Sequence, residues 1–202
     1  MNFLAHLLLA DVAQLPLAGG VLGDVVRGPV DGRFPQALGL SIRLHRRVDT
    51  VTDAHPAVEA LTQRFESPHR RYAGVLLDLL FDHVLARQWS QHSDERFGAF
   101  CKRGAREVGD AGSWFTSAGA YAPSAFMFER LLRSYALEAG MSRAIRRTAS
   151  RLRRPEGLID AAENWTAHLP ALNEALPILM ADLKTTAQGF VAAESAAQQL
   201  AG

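Results

Sequence analysis

The chain has 202 residues, 48% of them apolar, and a formal net charge of +1. That length supports one substantial hydrophobic core and leaves little room for two, so we expect a single domain over residues 1–202. The single cysteine, Cys101, excludes an internal disulfide and a zinc site built on paired thiolates, which favours a reducing cytoplasm. The apolar start lacks the positive leader of a signal peptide and is interrupted by Asp11. No stretch reaches the roughly 20 apolar residues of a membrane span, and we therefore expect a soluble protein.

Helical periodicity dominates the chain, and alternating β-branched runs of strand length are hard to find. The pattern predicts an all-α fold. Glycine and proline mark loops at 29–35 and 109–123. The predicted helices lie near 2–13, 16–27, 36–54, 56–66, 70–92, 94–108, 123–138, 141–152, 156–167 and 170–198.

Histidine is concentrated in the first half of the chain, and arginine is clustered in the second. Six of the seven histidines precede residue 93, whereas six arginines fall within residues 143–154. The guanidinium group matches the geometry of phosphate and carboxylate. We expect metal or acid–base chemistry within residues 1–92 and basic docking helices within 125–202. A solvated helix face, or a GC-rich coding sequence, would produce the same arginine pattern without a function.

The predicted helix over 70–92 is apolar almost all round, as expected of a central helix. Asp82 falls within that apolar surface, with His83 beside it and Asp78 one turn earlier. An unpaired buried carboxylate is costly, so Asp82 needs a metal, a cation or hydrogen-bond donors. One interpretation is a buried aspartate that accepts hydrogen bonds from a helix end or an arginine. The adjacent Asp–His pair favours the other interpretation, a metal site.

The predicted helix over 36–54 offers a second pair, because His45 and Asp49 lie one turn apart. A surface pair on a solvated helix explains the same spacing. Two weaker candidates are His6, in an apolar segment where a lone histidine is more often a core residue, and Asp24, beside Gly23. Nitrogen and oxygen ligands without thiolate suit manganese, magnesium or iron at least as well as zinc.

Several classes of protein are excluded by missing motifs. The sequence has no Gly-rich phosphate loop followed by Lys-Ser/Thr, no dinucleotide-binding glycine pattern and no nucleophile elbow. Cys101 is predicted to be a partly buried bystander on an ordinary helix. The arginine cluster contains no aromatic residue for base stacking, so we expect no nucleic-acid partner, and no membrane partner either.

Four segments in the first 92 residues resemble, in order and spacing, the motifs of the acyl carrier protein phosphodiesterases. They read MNFLAHL at 1–7, DVVRG at 24–28, HRRVDTVTD at 45–53 and DHVLARQW at 82–89. Beyond residue 125 the recognisable piece is ASRLRRP at 149–155. Two positions depart from the family pattern. Leu8 stands where the family commonly has a second histidine, and Asp82–His83 reverses the His–Asp order of the wider HD-type phosphohydrolases.

The resemblance implies an all-α fold related to the HD-type metal phosphohydrolases. It implies an enzyme that removes 4′-phosphopantetheine from the serine of holo acyl carrier protein, with a divalent cofactor, Mn2+ above all. By matched motif it assigns metal-site roles to Asp24, Asp82 and His83, with His6 and His45 as further candidates. It also implies that Arg27, Arg46 and Arg47 face the phosphate.

These assignments lead to a hypothesis for the reaction and its partner. A divalent ion would activate a water and neutralise charge on the phosphoryl oxygens, with His45 as proton acceptor. The carrier protein is small and acidic, so a basic docking surface is needed, and local charge steers such encounters. The predicted docking residues are Arg47, Arg143, Arg147, Arg151 and Arg154.

Two other functions fit the same sequence. One is an HD-like phosphohydrolase that acts on a nucleotide or another small phosphodiester, which a pocket with base-reading groups would favour. The other is a non-catalytic helical module that binds acidic proteins, with purely structural histidines and aspartates. Metal content distinguishes this last function from both enzymes.

Overall fold

The computed structural model describes residues 2–201, and within that range it contains eleven α-helices and no strand. The all-α prediction is confirmed. In chain order the helices are α1 (Phe3–Val12), α2 (Gly19–Leu22), α3 (Gln36–Asp53), α4 (Pro56–Thr62), α5 (Ala73–Arg87), α6 (Phe97–Asp110), α7 (Gly112–Ser117), α8 (Ala125–Ser134), α9 (Glu138–Ala149), α10 (Pro155–Ala161) and α11 (Leu169–Ala201). Short 3-10 helices cover Arg70–Tyr72, Trp89–Gln91 and Trp165–His168. None of the described helices combines the length and the apolar character that a bilayer span requires.

Two of the predicted segments differ clearly from the structure. The helix predicted over 16–27 is reduced to the four residues of α2, because three glycines within 19–23 weaken a helix there. The loop predicted over 109–123 contains α7, because Phe115 is buried in the core and Trp114 packs on Phe34 with ring centroids 5.4 Å apart. Glycine content thus explains the first difference, and the packing of aromatic side chains explains the second.

Helices α1 and α5 form the centre of the core. Every residue from 4 to 10 in α1 is buried, and so is every residue from 79 to 86 in α5. Helix α11 packs against both, and also against α3 and α4. A helix that is apolar on every side is stable only where neighbours cover every side. The two central helices therefore fix the framework on which the other elements pack.

Helix α1 is held at both ends by charged side chains from other helices. Near its N-terminus, the carboxylate of Asp82 accepts hydrogen bonds from the backbone N–H groups of Leu4, at 2.7 Å, and Ala5, at 3.1 Å. Near its C-terminus, Asp11 accepts two hydrogen bonds from Arg103 of α6, at 3.0 and 3.1 Å. The first N–H groups of a helix have no partner inside it, so Asp82 supplies acceptors that a buried helix start requires. These contacts set the position and register of α1.

Glycines let α2 approach α1 and α3 more closely than a side chain would allow. A Cβ at Gly20 would lie 2.9 Å from the carbonyl oxygen of His6, and a Cβ at Gly19 would lie 2.2 Å from the Cβ of Ser41. Ser41 in turn donates a hydrogen bond to the carbonyl oxygen of Pro16, at 2.7 Å. Because α2 sits so close to both neighbours, α1 and α3 are brought together on the side that carries the histidines.

Candidate metal centre

Two imidazole rings and a carboxylate meet where α1 packs against α3. His6 comes from α1, whereas His45 and Asp49 lie one turn apart on α3. Nε2 of His6 is 3.0 Å from Oδ1 of Asp49, and Nε2 of His45 is 3.2 Å from Oδ2 of the same carboxylate. The two rings are stacked, with centroids 3.8 Å apart. One ligand atom from each residue lies within 4.8 Å of the other two, a spacing that can hold one metal ion.

A second carboxylate, Asp24, lies at the edge of this group. Its Oδ1 is 3.6 Å from Nε2 of His45. Asp24 follows α2 in the turn at 23–25, and its side chain is 51% exposed, whereas that of His45 is 3% exposed. The group therefore has a buried side formed by the imidazoles and an open side formed by Asp24.

The ring of His45 is oriented by a backbone contact. Its Nδ1 lies 2.9 Å from the carbonyl oxygen of Gly20. A carbonyl oxygen can only accept, so Nδ1 carries the proton and donates it, and Nε2 faces the carboxylates of Asp49 and Asp24. Histidines that bind metals commonly use one ring nitrogen in this way and offer the other to the ion.

The pKa shifts follow from burial and from the shared carboxylates. Burial lowers the pKa of His6 to about 4, and the adjacent Asp49 only partly offsets that effect, so His6 is neutral at neutral pH. Burial also lowers the pKa of His45, but the hydrogen bond to Asp49 and the charge of Asp24 outweigh it, and the net shift is upward. The pKa of Asp49 is depressed, because its contacts with both imidazoles outweigh its burial. Burial raises the pKa of Asp24.

These observations fit a divalent cation held by nitrogen and oxygen. His6 is a neutral imidazole and His45 has its Nε2 directed at the centre, so the pair offers two nitrogen ligands once His45 loses a proton. Asp49 and Asp24 offer carboxylate oxygens. Two nitrogens and carboxylates without thiolate suit manganese, iron or zinc. His6, His45, Asp49 and Asp24 are called the metal centre below.

Asp82 and His83 lie outside the metal centre. Asp82 is fully buried, and both of its oxygens accept hydrogen bonds at the start of α1. Burial raises the pKa of its carboxyl to about 7, although those hydrogen bonds act in the opposite direction. His83 has its Nδ1 2.6 Å from the carbonyl oxygen of Tyr135, and its ring meets the edge of Trp165. We expect Asp82 to act on the metal centre through α1, the helix that carries His6.

The arginines predicted to face phosphate have different surroundings. Arg46 donates to two backbone carbonyl oxygens, those of Val26 and Gly28, each at 2.9 Å. These contacts brace the chain that follows Asp24. Arg27 and Arg47 are exposed. A phosphate-facing role for Arg27 and Arg46 stays a prediction.

The arginine cluster lies beside a groove that reaches the metal centre. Arg143 and Arg147 are on α9, whereas Arg151 and Arg154 follow its end at Ala149, so the helix predicted over 141–152 stops earlier. All four are exposed. The groove has a volume of about 650 Å³, and Arg147, Arg151 and Asp24 are among its lining residues. It is called the α5–α9 groove below, since Val75 and Leu79 of α5 and Ala144 and Thr148 of α9 also line it.

Two features of this site are missed by reasoning from the sequence. Asp49 enters that reasoning only as the partner of His45, although the one-turn spacing of the two residues is the signal for a shared ligand role. The α5–α9 groove had no signal at all, because its walls come from separate helices that local periodicity cannot bring together.

Comparison with known sequences decides the family. The sequence profile described as "Acyl carrier protein phosphodiesterase" matches residues 1–183. This chain belongs to that family. A curated acyl carrier protein phosphodiesterase of Escherichia coli O139:H28 (strain E24377A / ETEC) is 45% identical over 95 residues, which cover 47% of this chain and 49% of the relative. The curated acyl carrier protein phosphodiesterase of Serratia proteamaculans (strain 568) is 47% identical over 91 residues, which cover 45% of this chain and 47% of the relative. The matched stretch thus spans about half the length of these relatives, and no solved structure matches the chain.

Gly23 tests the geometry of the metal centre. A Cβ at this position would lie 2.2 Å from Cγ of His45, so Gly23→Ala must displace the imidazole from Asp49 and Asp24. We expect at least a tenfold loss of Mn2+ affinity in isothermal titration calorimetry. The matched control is Gly74→Ala, because a Cβ at Gly74 meets nothing within 4 Å. Wild-type affinity in Gly23→Ala would show that His45 does not bind the ion.

Substitution of Asp82 tests whether its hydrogen bonds stabilise the start of α1. Removing its carboxylate in Asp82→Ala leaves two buried N–H groups without acceptors, and each unpaired group costs about 1–3 kcal/mol. We expect a corresponding fall in the free energy of unfolding in urea, and a smaller fall for Asp82→Asn, which keeps one acceptor oxygen. The exposed Asp160→Ala is the control, with an expected change within about 0.5 kcal/mol.

The stability of the protein, measured over a pH series, distinguishes the effect of ionising Asp82 from the effect of its hydrogen bonds. The pKa of this carboxyl is about 7 in the folded protein, against 3.8 for an unperturbed aspartate. Its contribution to stability is therefore greatest below pH 3.8 and is lost as the pH rises towards 7, because only the folded state then holds the proton. Asp82→Asn cannot titrate and should lack this slope. Equal pH dependence of the unfolding free energy in the wild type and in Asp82→Asn would contradict a raised pKa of the Asp82 carboxyl.

Proposed function

We propose that this protein hydrolyses the phosphodiester that joins 4′-phosphopantetheine to the serine of holo acyl carrier protein, with Mn2+ as cofactor. The observation that carries the proposal is the convergence of His6, His45 and Asp49 within 4.8 Å, in a chain that belongs to the acyl carrier protein phosphodiesterase family. The relatives' name, acyl carrier protein phosphodiesterase, describes a phosphodiesterase that acts on this carrier. The location of the reaction in the cytoplasm stays a prediction.

Each residue of the metal centre has a proposed task. A divalent ion held there would neutralise charge on the phosphoryl oxygens and lower the pKa of a water molecule. His6, His45 and Asp49 hold the ion. Since Nε2 of His45 points into the metal centre, it would be bound to the ion in the metal-loaded protein and would then not accept a proton. We assign the proton-accepting role to Asp24 instead, because its carboxyl is half exposed, lines the groove and has a raised pKa.

The arginine cluster is proposed as the docking surface for the acidic carrier. Arg147 and Arg151 line the same groove as Asp24, so a carrier bound at the cluster would present its modified serine near the metal centre. Exposed charges of this kind act mainly on the encounter and on orientation. Arg143 and Arg154 extend the basic surface, and Arg47 of α3 is the remaining predicted docking residue.

Intact-mass analysis of the carrier tests the proposed reaction. Purified holo acyl carrier protein, incubated with the protein and Mn2+, should lose the mass of one phosphopantetheine arm, and chelation of the metal with EDTA should stop the reaction until Mn2+ is restored. Asp49→Asn should reduce the rate at least a hundredfold and weaken Mn2+ binding, since a metal ligand acts through the ion.

A second His–Asp pair provides the control for that variant. Asp182 lies 3.1 Å from Nε2 of His55, away from the metal centre, so Asp182→Asn removes a similar contact and should leave the rate unchanged. A carrier that stays intact with metal-loaded protein would refute the hydrolysis. If the protein also binds no metal, the non-catalytic interpretation of the sequence gains support.

Charge reversal tests the docking surface. Replacing Arg147, Arg151 and Arg154 by glutamate should raise KM for the carrier about tenfold or more and change kcat much less, because these residues lie at the rim. Added salt should raise the wild-type KM, since the Debye length is only about 8 Å at physiological ionic strength, and should affect the variant less. The control reverses three exposed arginines that do not line the groove, namely Arg64, Arg96 and Arg106. Equal KM values in both triple variants would remove the cluster from the docking surface.

A further inference from the structure

We propose that the α5–α9 groove binds the pantetheine arm of the carrier, with the phosphate of the arm at Asp24 and the carrier outside. This inference rests on the proposed function and adds to it a subsite, and a direction in which the substrate lies. It also means that the product of the reaction, free 4′-phosphopantetheine, binds to the same groove after hydrolysis.

The groove has the size and the walls of a small-molecule site. Its volume is about 650 Å³, within the range of about 300–1,000 Å³ typical of such sites. Most of its surface is apolar, with Phe3, Leu79, Phe128 and Leu131 among the lining residues. An extended organic chain with methyl and methylene groups would exclude water from these walls.

A few polar groups interrupt the apolar walls. The side-chain amide of Asn2 donates a hydrogen bond to the hydroxyl of Tyr135, at 3.1 Å, and both residues line the groove. Thr148 adds a second hydroxyl. Amides and hydroxyls both donate and accept, so this part of the wall can pair with the two amide groups of a pantetheine arm. Sparse polar groups in an apolar wall fix the orientation of a ligand.

Charge places the phosphate end of the arm. Asp24 belongs both to the metal centre and to the lining of the groove. Carboxylates alone would repel a phosphodiester, but Arg147 and Arg151 line the same groove, and their positive charge offsets that repulsion. The groove therefore combines a basic rim, an apolar wall and direct access to the metal centre.

The rim of the groove has an exposed aromatic residue that a bound carrier would cover. Tyr121 lines the groove and is 98% exposed, in the segment that joins α7 to α8. Aromatic side chains are enriched at protein interfaces. The arm would thus lie inside the groove, while the carrier contacts the rim formed by Tyr121 and the arginines.

Calorimetric titration of the whole protein with free 4′-phosphopantetheine tests the groove directly. Thr148→Trp on α9 and Val75→Trp on α5 fill the groove from two helices, and each should weaken this binding at least tenfold and raise KM for the holo carrier. Mn2+ affinity should not change, because neither residue belongs to the metal centre. Ile178→Trp is the matched control, since Ile178 is an exposed residue of α11 that does not line the groove.

Two measurements on the wild-type protein keep the test independent of how the variants fold. Free 4′-phosphopantetheine should slow hydrogen exchange in residues 118–122 and in α9. It should also bind at least tenfold more tightly than AMP, which has the phosphate without the arm. Equal or tighter binding of AMP would overturn the inference and favour a nucleotide as substrate.

The failure of this inference can be told apart from the failure of the proposed function. If the wild type releases the arm from the carrier but the groove variants keep normal affinity and KM, the groove assignment is wrong and the function stands. If 4′-phosphopantetheine binds in the groove but the metal-loaded protein leaves the carrier intact, the subsite stands and the hydrolysis is wrong.

Discussion

The carboxylate of Asp82, buried at the start of α1, is the contact on which the metal centre depends. It accepts hydrogen bonds from Leu4 and Ala5, which directly precede His6 in the chain. A buried helix end without acceptors would be unstable, and the helix would shift to reach solvent or other partners. The stacking of His6 on His45, with ring centroids 3.8 Å apart, leaves little tolerance for such a shift. A residue outside the centre thus determines whether its ligands meet.

The charges at the centre would favour a bound cation. Asp24 and Asp49 bring two negative charges next to a neutral His6, and the raised pKa of His45 shows that the pair attracts a proton. A divalent ion can replace that proton and neutralise both carboxylates. In the proposed function, the arginines along the α5–α9 groove would then face an anionic substrate.

Local sequence was sufficient for some of these features and not for others. The all-α fold follows from periodicity, and the spacing of His45 and Asp49 indicated their common face. The buried position of Asp82 was also predictable, and of the two interpretations considered, the hydrogen bonds from a helix end are present. A role for Asp82 as a metal ligand stays a prediction. The meeting of α1 with α3 was not predictable, because it depends on the glycines of α2 that let three helices pack closely. For the same reason, nothing local distinguished His6 from an ordinary core histidine.

His6, His45 and Asp49 are proposed to bind one metal ion together. Anomalous diffraction from crystals of the protein grown with Mn2+ tests this binding, because the signal locates the ion itself. We expect one strong peak within coordination distance of both Nε2 atoms and of the Asp49 carboxylate. A peak beside Asp82 and His83, with none between α1 and α3, would show that the ion binds elsewhere.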